Sequence, residues 1–431
     1  KRLMNKKQIY SWALYDWANS AFATTVMAGF FPIFFSQYWS NPDNLSISTF
    51  YLGLGNSIAS LIVALLAPIL GAIADRGSFK KKFLIFFAFL GIVMTLGLGF
   101  ISQGMWPIAL MVYIFSTIGF SGANIFYDSL LPSVSNEGNI DDVSALGFSL
   151  GYLGGGVLII INFLMISYPA TFGLVDAVEA TKYAFISVGV WWALFSIPLI
   201  IFVDEPKYHE SESVSDSIIN GLTQFRNTFN DLKKLKVVAT FLLAYWLYID
   251  GVDTVVRMAA NFAFTLGFDQ ASIMGALVLI QLVAFFATLI YIKIANYIGL
   301  KNGVYLGIFG YCIILFAGYF VESITHFYIV ALLIGCFQGG IQTISRSLYS
   351  RIIPEKKSAE FYGFYNMLGK FAAVFGPVLM GSVTLVLNNL VEDEVIAARF
   401  GLLSIMILFI LGGYVFSKVD IKEGEAIAKN L

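Results

Sequence analysis

Histidine and cysteine are almost missing from this chain, with two of each among 431 residues. Cys312 and Cys336 sit in apolar runs without metal-ligand spacing, which excludes a disulfide framework and a cysteine metal site. His209 and His326 fall at predicted loops, so the interior lacks the usual general base. An intramembrane enzyme would need a nucleophile or a metal cluster at depth, and the sequence offers neither. No enzyme activity, metal or cofactor is therefore expected. Charge is scarce as well. Only 12% of residues are charged and the formal net charge is −1, which leaves no basic face for nucleic acid. No cleavable signal peptide is predicted, because the first apolar run is span-length and no small-residue cleavage site follows a short core.

What is abundant is hydrocarbon. A hydrophobic fraction of 58% and a mean hydropathy of +0.80 place the chain among polytopic membrane proteins. The apolar runs predict twelve spans, at 10–39, 50–74, 82–102, 107–131, 143–168, 181–203, 240–266, 271–298, 303–321, 326–353, 359–386 and 395–417. Alternate loops separate by charge. Lys6, Lys7, Arg76, Lys80 to Lys82, Lys207, Arg226, Lys233, Lys234, Lys301, Arg351, Lys356 and Lys418 fall on one side. Lys182 and Arg399 stand on the other, beside Asp43, Asp176 and Glu392. The positive-inside rule then puts both termini in the cytoplasm, which requires an even number of spans. A bacterial inner membrane is the expected location. Trp39, Trp106 and Trp191, near span ends, are expected to anchor at the interface.

The first long run opens with Trp12–Thr25, where Asp16, Asn19 and Ser20 lie three and four residues apart and share a helix face. The pattern returns about 234 residues later as Trp246, Asp250, Asp253 and Thr254, with Arg257 four residues beyond Asp253. Other segments repeat too. GAIADRGSFKKK after span two has a worn copy, IKIANYIGLKNG, after span eight. FYDSLLP at the end of span four matches LYSRIIP at the end of span ten. Gly147, Phe148, Leu153 and Gly154 match Gly363, Phe364, Leu368 and Gly369 with a small slip. The reading is an all-α fold of two pseudo-symmetric six-helix bundles, 1–203 and 237–431, related as parallel repeats. The connector 204–236 is acidic and serine-rich from Glu210 to Asp216. Ile218, Leu222, Phe225, Phe229 and Leu232 then recur at helical spacing, which predicts an amphipathic helix on the inner leaflet. A tether between bundles and a regulatory element both fit it.

The loop GAIADRGSFKKK resembles the signature loop between helices two and three of the major facilitator superfamily. YDWANSAFATT, LAYWLYIDGV, QGGIQTISRSLYSRIIP and EFYGFYNMLGKFAAVFGP resemble the branch holding the autophagy-related vacuolar amino-acid effluxers and their bacterial relatives. The lack of long loops is more similar to the bacterial members. The resemblance implies a secondary transporter working by alternating access, amino acids as solutes, and efflux. It also implies that helices one, four, seven and ten line a cavity, and that Asp75 lies near the amino end of helix eleven. Arg76 would pair with Asp128 at the end of helix four. Asp75, Arg76, Asp128 and Arg346 are therefore read as gating residues whose contacts hold one state and break in the other, against the plainer reading of topogenic charge.

The solute-binding candidates are polar groups at membrane depth, which are costly there and mark function or internal pairing. Asp16 and Asp250 could take a cationic group or a coupling proton, or be satisfied carboxylates that hold helices one and seven. Asp253 and Arg257 could form a neutralised structural pair or one gated by solute. Lys370, with Asn366 one turn before it, suits a solute carboxylate or an acidic partner. Asn19, Ser20, Asn124, Tyr127, Gln338 and Gln342 complete the set. The glycine ladder Gly147, Gly151 and Gly155 predicts close helix packing where the halves meet. A small zwitterionic solute, the bilayer and a proton as candidate coupling ion are the expected partners of a monomer. Metal-complex, osmolyte, aromatic or lipidic cargo is the alternative within transport, and a non-transporting receptor or scaffold the alternative outside it.

Overall fold

The computed structural model describes residues 6–40, 45–206, 214–232, 235–391 and 393–430. Lys207, His209, the start of the acidic connector, Lys233, Lys234, Asp43 and Glu392 lie outside them. Among the described residues the secondary structure is helical throughout, without a strand. Twelve helices are long and apolar enough to cross a membrane. Spans 1 to 6 are Lys6–Trp39, Tyr51–Gly77, Lys80–Leu98, Trp106–Ser129, Ile140–Ser167 and Ala177–Phe202. Spans 7 to 12 are Lys236–Ala260, Ala271–Ile298, Leu300–Tyr319, Ile324–Ile352, Glu355–Val391 and Glu394–Ser417. A linker helix, Val214–Leu232, precedes span 7, and a short helix, Ile421–Asn430, follows span 12. His326 falls in the first turn of span 10 rather than in a loop.

Two compact units follow the sequence halves except at two helix starts and the linker. Unit 1 holds Lys1–Asn136, Leu150–Phe225 and Lys356–Phe364, so it includes the first turns of span 11. Unit 2 holds Glu137–Ser149, Arg226–Glu355 and Tyr365–Leu431, so it includes the first turns of span 5.

In unit 1 the rings of span 1 pack on both sides. Trp12 stacks on Tyr127 at 4.4 Å and Phe31 on Tyr113 at 4.0 Å, toward span 4. Trp17 stacks on Trp191 at 5.3 Å, toward span 6. Span 1 winds as an α-helix to Ala21, then in wider π turns over Phe22–Phe30 and Phe35–Trp39. Two of the expected interface tryptophans serve packing instead. Trp39 is fully buried and donates to the Ile101 carbonyl, and Trp191 donates to that of Trp17. In unit 2, span 7 packs on spans 11 and 12, and the Tyr248 and Ser345 hydroxyls share a hydrogen bond of 2.6 Å between spans 7 and 10.

The linker helix has an exposed apolar face and a buried small, polar one. Ile218, Ile219 and Leu222 are exposed, while Ser217, Gly221, Gln224 and Thr228 form the buried stripe. The small residues let the helix lie against span 2, where a Cβ on Gly221 would come within 2.8 Å of the Ile73 backbone.

Candidate functional site

Unit 1 gathers five of the candidates, the Asp16 carboxylate among them. Asp16 accepts from the Ser20 hydroxyl and from the phenolic hydroxyl of Tyr127, both at 3.4 Å. One turn on, Asn19 donates its amide to the Asn124 side-chain oxygen at 2.6 Å. Trp12 fixes the opposing ring by stacking on it and by donating to the Tyr127 carbonyl at 2.9 Å. The cluster is half-buried at Asp16 and closed at Asn19. Span 5 reaches it through the glycine ladder. A Cβ on Gly151 would sit 2.7 Å from the Ser20 hydroxyl and 3.1 Å from Asp16 Oδ1. Gly155 likewise faces Thr24. These two glycines thus serve packing on span 1 inside unit 1, not the meeting of the halves as expected.

Unit 2 presents a different arrangement. Asp250 is 1% exposed and accepts the Gly376 backbone N–H with both oxygens, at 2.9 and 3.0 Å, and the Thr254 hydroxyl at 3.2 Å. Asp253 lies within charge range of Arg257 and Lys370. Arg257 is exposed, and no salt bridge joins it to Asp253 among the described residues. With Asp250 also within charge range of Asp253 and Arg257, two carboxylates and two cations share this part of spans 7 and 11. Gln338 is half-buried, and its side-chain oxygen has no hydrogen-bond partner among the described residues. Gln342 and Asn366 are half-buried on spans 10 and 11.

The gating candidates divide between the units. Asp75, at the end of span 2, accepts the backbone N–H groups of Ala359 at 3.1 Å and Glu360 at 2.8 Å, where a helix dipole favours an anion. Its ion partner is Lys80, at 3.0 Å, with both side chains 2% exposed. Lys80 also donates to the Ser358 hydroxyl, which donates to the Ser129 carbonyl. Gln224 of the linker helix donates to Glu360 at 2.8 Å. The Arg76 Nε is buried without a hydrogen-bond partner among the described residues, and the ion partner of Asp75 is Lys80. Asp128 is buried beside Ser129. Just beyond, Glu205 accepts the Lys80 and Lys81 N–H groups, and burial pushes its carboxyl up despite them. In unit 2, Arg346 is buried, donates to the Ser144 hydroxyl and carbonyl, and lies over the Phe148 ring at 3.9 Å. Arg351 pairs with Asp141 at 2.6 Å. Both arginines thus hold the start of span 5.

Lys80, Ser129, Ser358, Glu360 and Gln224 were not singled out in the sequence. Lys80 sits in a run of three lysines, and only its burial separates it from its neighbours.

The family model described as vacuole effluxer Atg22 like matches residues 44–140 and 136–429. The chain belongs to that family. It is 38% identical over 408 residues to the MFS-type transporter YxiO of Bacillus subtilis, covering 94% of this chain and 93% of that one. It is 22% identical to autophagy-related protein 22 of Yarrowia lipolytica, over 87% of this chain and 76% of the relative. Among solved structures, the proton:xylose symporter XylE superposes with a TM-score of 0.72 at 14% identity, over 98% of both chains. The human organic anion transporter MFSD10 gives 0.71 at 12% identity, over 95% and 99%. The chain has the major facilitator fold and is an integral, multi-pass secondary transporter rather than an enzyme.

Proposed function

We propose that the transporter carries a small zwitterionic solute, an amino acid in chemical class, by alternating access, with a proton as coupling ion and efflux as its direction. The observation that carries this reading is the unit 1 cluster. Asp16 is a half-buried carboxylate in an apolar bundle, placed by a glycine on one side and by hydroxyls on the other. Such a group suits an ammonium, which exchanges its hydration for a charged partner. Within unit 2, Arg257 and Lys370 near Asp253 are cations at membrane depth, the kind of group that suits a carboxylate. The effluxer description of the family supports the direction, and the proton-coupled neighbour in fold supports the ion. The Asp75–Lys80–Ser358 contact in unit 1 and the Arg346–Ser144 contact in unit 2 act as gates, because each ties a helix start through buried polar groups that open together or not at all. The chain works as a monomer in a bacterial inner membrane with both termini in the cytoplasm.

The test is uptake of radiolabelled amino acids into proteoliposomes, with and without a pH gradient, in wild type and Asp16→Asn. Gradient-stimulated uptake that the substitution abolishes supports the reading. Equal rates in all four cases end it.

A further inference from the structure

Asp16, Asn19 and Asn124 account for one level of the span 1 and span 4 contact, and three hydroxyls on the same helices remain unexplained. A serine or threonine buried in an apolar helix commonly donates to a carbonyl three or four residues back. This chain follows that habit at Thr24, Thr95, Ser116, Ser129 and Ser196. Thr25, Thr117 and Ser121 do not. They are 0%, 3% and 2% exposed, and their hydroxyl oxygens have no hydrogen-bond partner among the described residues. A buried hydroxyl without a partner is costly, so three in one neighbourhood mark groups that are satisfied by something else.

Their neighbourhood follows from the helix registers. Thr117, Ser121 and Asn124 stand at i, i+4 and i+7, along one stripe of span 4. Thr25 lies between Phe22, whose ring meets Phe120, and Phe31, whose ring stacks on Tyr113. It therefore sits on the stretch of span 1 that runs along span 4. No charged residue occurs between Trp17 and Trp39, or between Trp106 and Tyr127. Neither stretch supplies a charge, so an uncharged group suits these hydroxyls.

We propose that Thr25, Thr117 and Ser121 form a neutral subsite for an uncharged hydrogen-bonding group of the solute. The transporter then selects zwitterions with an amide or hydroxyl side chain over apolar ones of the same size. Ser121 lies about one helical turn, roughly 5 Å, beyond Asn124, within the reach of an amide side chain. The inference rests on Asp16 as the ammonium site and adds the solute class to it.

Uptake of L-glutamine and of L-leucine, which are similar in size, separates the possibilities. In wild type, glutamine is expected to exceed leucine about tenfold in kcat/KM, because a site built to hydrogen-bond discriminates against the analogue that leaves its groups unpaired. The double variant Thr117→Val, Ser121→Ala is expected to lose that preference by slowing glutamine about tenfold while leaving leucine within twofold. Its melting temperature without solute stays equal or rises, since apolar groups replace hydroxyls that have no partner in the protein. Thr117→Ser, which keeps the hydroxyl, retains the preference. A lower melting temperature with both solutes slowed alike would show a structural role and overturn the proposal. Equal transport of both solutes by wild type overturns it too, with the Asp16 reading intact. If wild type carries neither solute, both readings fall.

Discussion

Asp16 and Asp250 occupy corresponding places in the two halves of the repeat and lead different lives. Each is followed four residues later by a hydroxyl that donates to it, and each is pressed against a glycine, Gly151 of span 5 or Gly376 of span 11. Around Asp250 the glycine also supplies its backbone N–H, shared by both carboxylate oxygens at 2.9 and 3.0 Å. Around Asp16 the hydroxyl contacts are 3.4 Å, and the carboxylate is half-buried rather than sealed. The tryptophan one turn before each differs in the opposite sense. Trp12 donates to the Tyr127 carbonyl, whereas the buried Trp246 Nε1 has no partner among the described residues. On the reading proposed above, one motif is spent on framework in unit 2 and kept for chemistry in unit 1. A duplicated polar motif is not evidence of a duplicated site.

That contrast can be broken experimentally. The largest effect is expected from Asp250→Ala, which empties a buried site and removes the acceptor of both the Gly376 N–H and the Thr254 hydroxyl, and should cost about 3 kcal/mol of stability. Solvent-free burial makes the loss visible as a lower melting temperature in detergent, and an unchanged value would return Asp250 to the list of solute ligands. Next comes Gly376→Ala. Its Cβ would overlap the Thr254 hydroxyl and Asp250 Oδ1, so a cost of about 2 kcal/mol is expected, measured the same way. Gly151→Ala meets only the ends of Ser20 and Asp16 and should cost about 1 kcal/mol, while slowing uptake by displacing Asp16. The smallest change in stability, under about 1 kcal/mol, is expected from Asp16→Asn, because its hydroxyl partners can still donate to the amide oxygen. Uptake is nevertheless lost. A melting temperature as low as that of Asp250→Ala would erase the distinction between the two carboxylates.

Much of this was legible in the residues. The twelve spans and the six-plus-six repeat follow from apolar run length and repeated motifs, which the bilayer enforces strongly. Asp16, Asn19, Ser20, Asn124 and Tyr127 stood out because polar groups at three- and four-residue spacing are rare inside such runs. Other features left no mark. A backbone N–H such as that of Gly376 has no letter of its own, so the partner of Asp250 was invisible. Lys80 was hidden in a basic run that topology alone explains. Thr25, Thr117 and Ser121 passed unnoticed because hydroxyls are common in membrane helices, and only the bonds they fail to make set them apart.

One further consequence concerns how span 11 begins. Ser358, placed where a helix would normally bring its own cap, turns its hydroxyl to the Ser129 carbonyl and receives Lys80. The Ala359 and Glu360 amides are closed by Asp75, 284 and 285 residues away in the chain. The helix has a borrowed lid. If Asp75 withdraws as the proposed gate requires, the opening turn of span 11 loses roughly 1 kcal/mol of end-stabilisation and its first amides meet solvent. Hydrogen exchange at those two amides would therefore serve as a clock for the transport cycle, readable without any label on the solute.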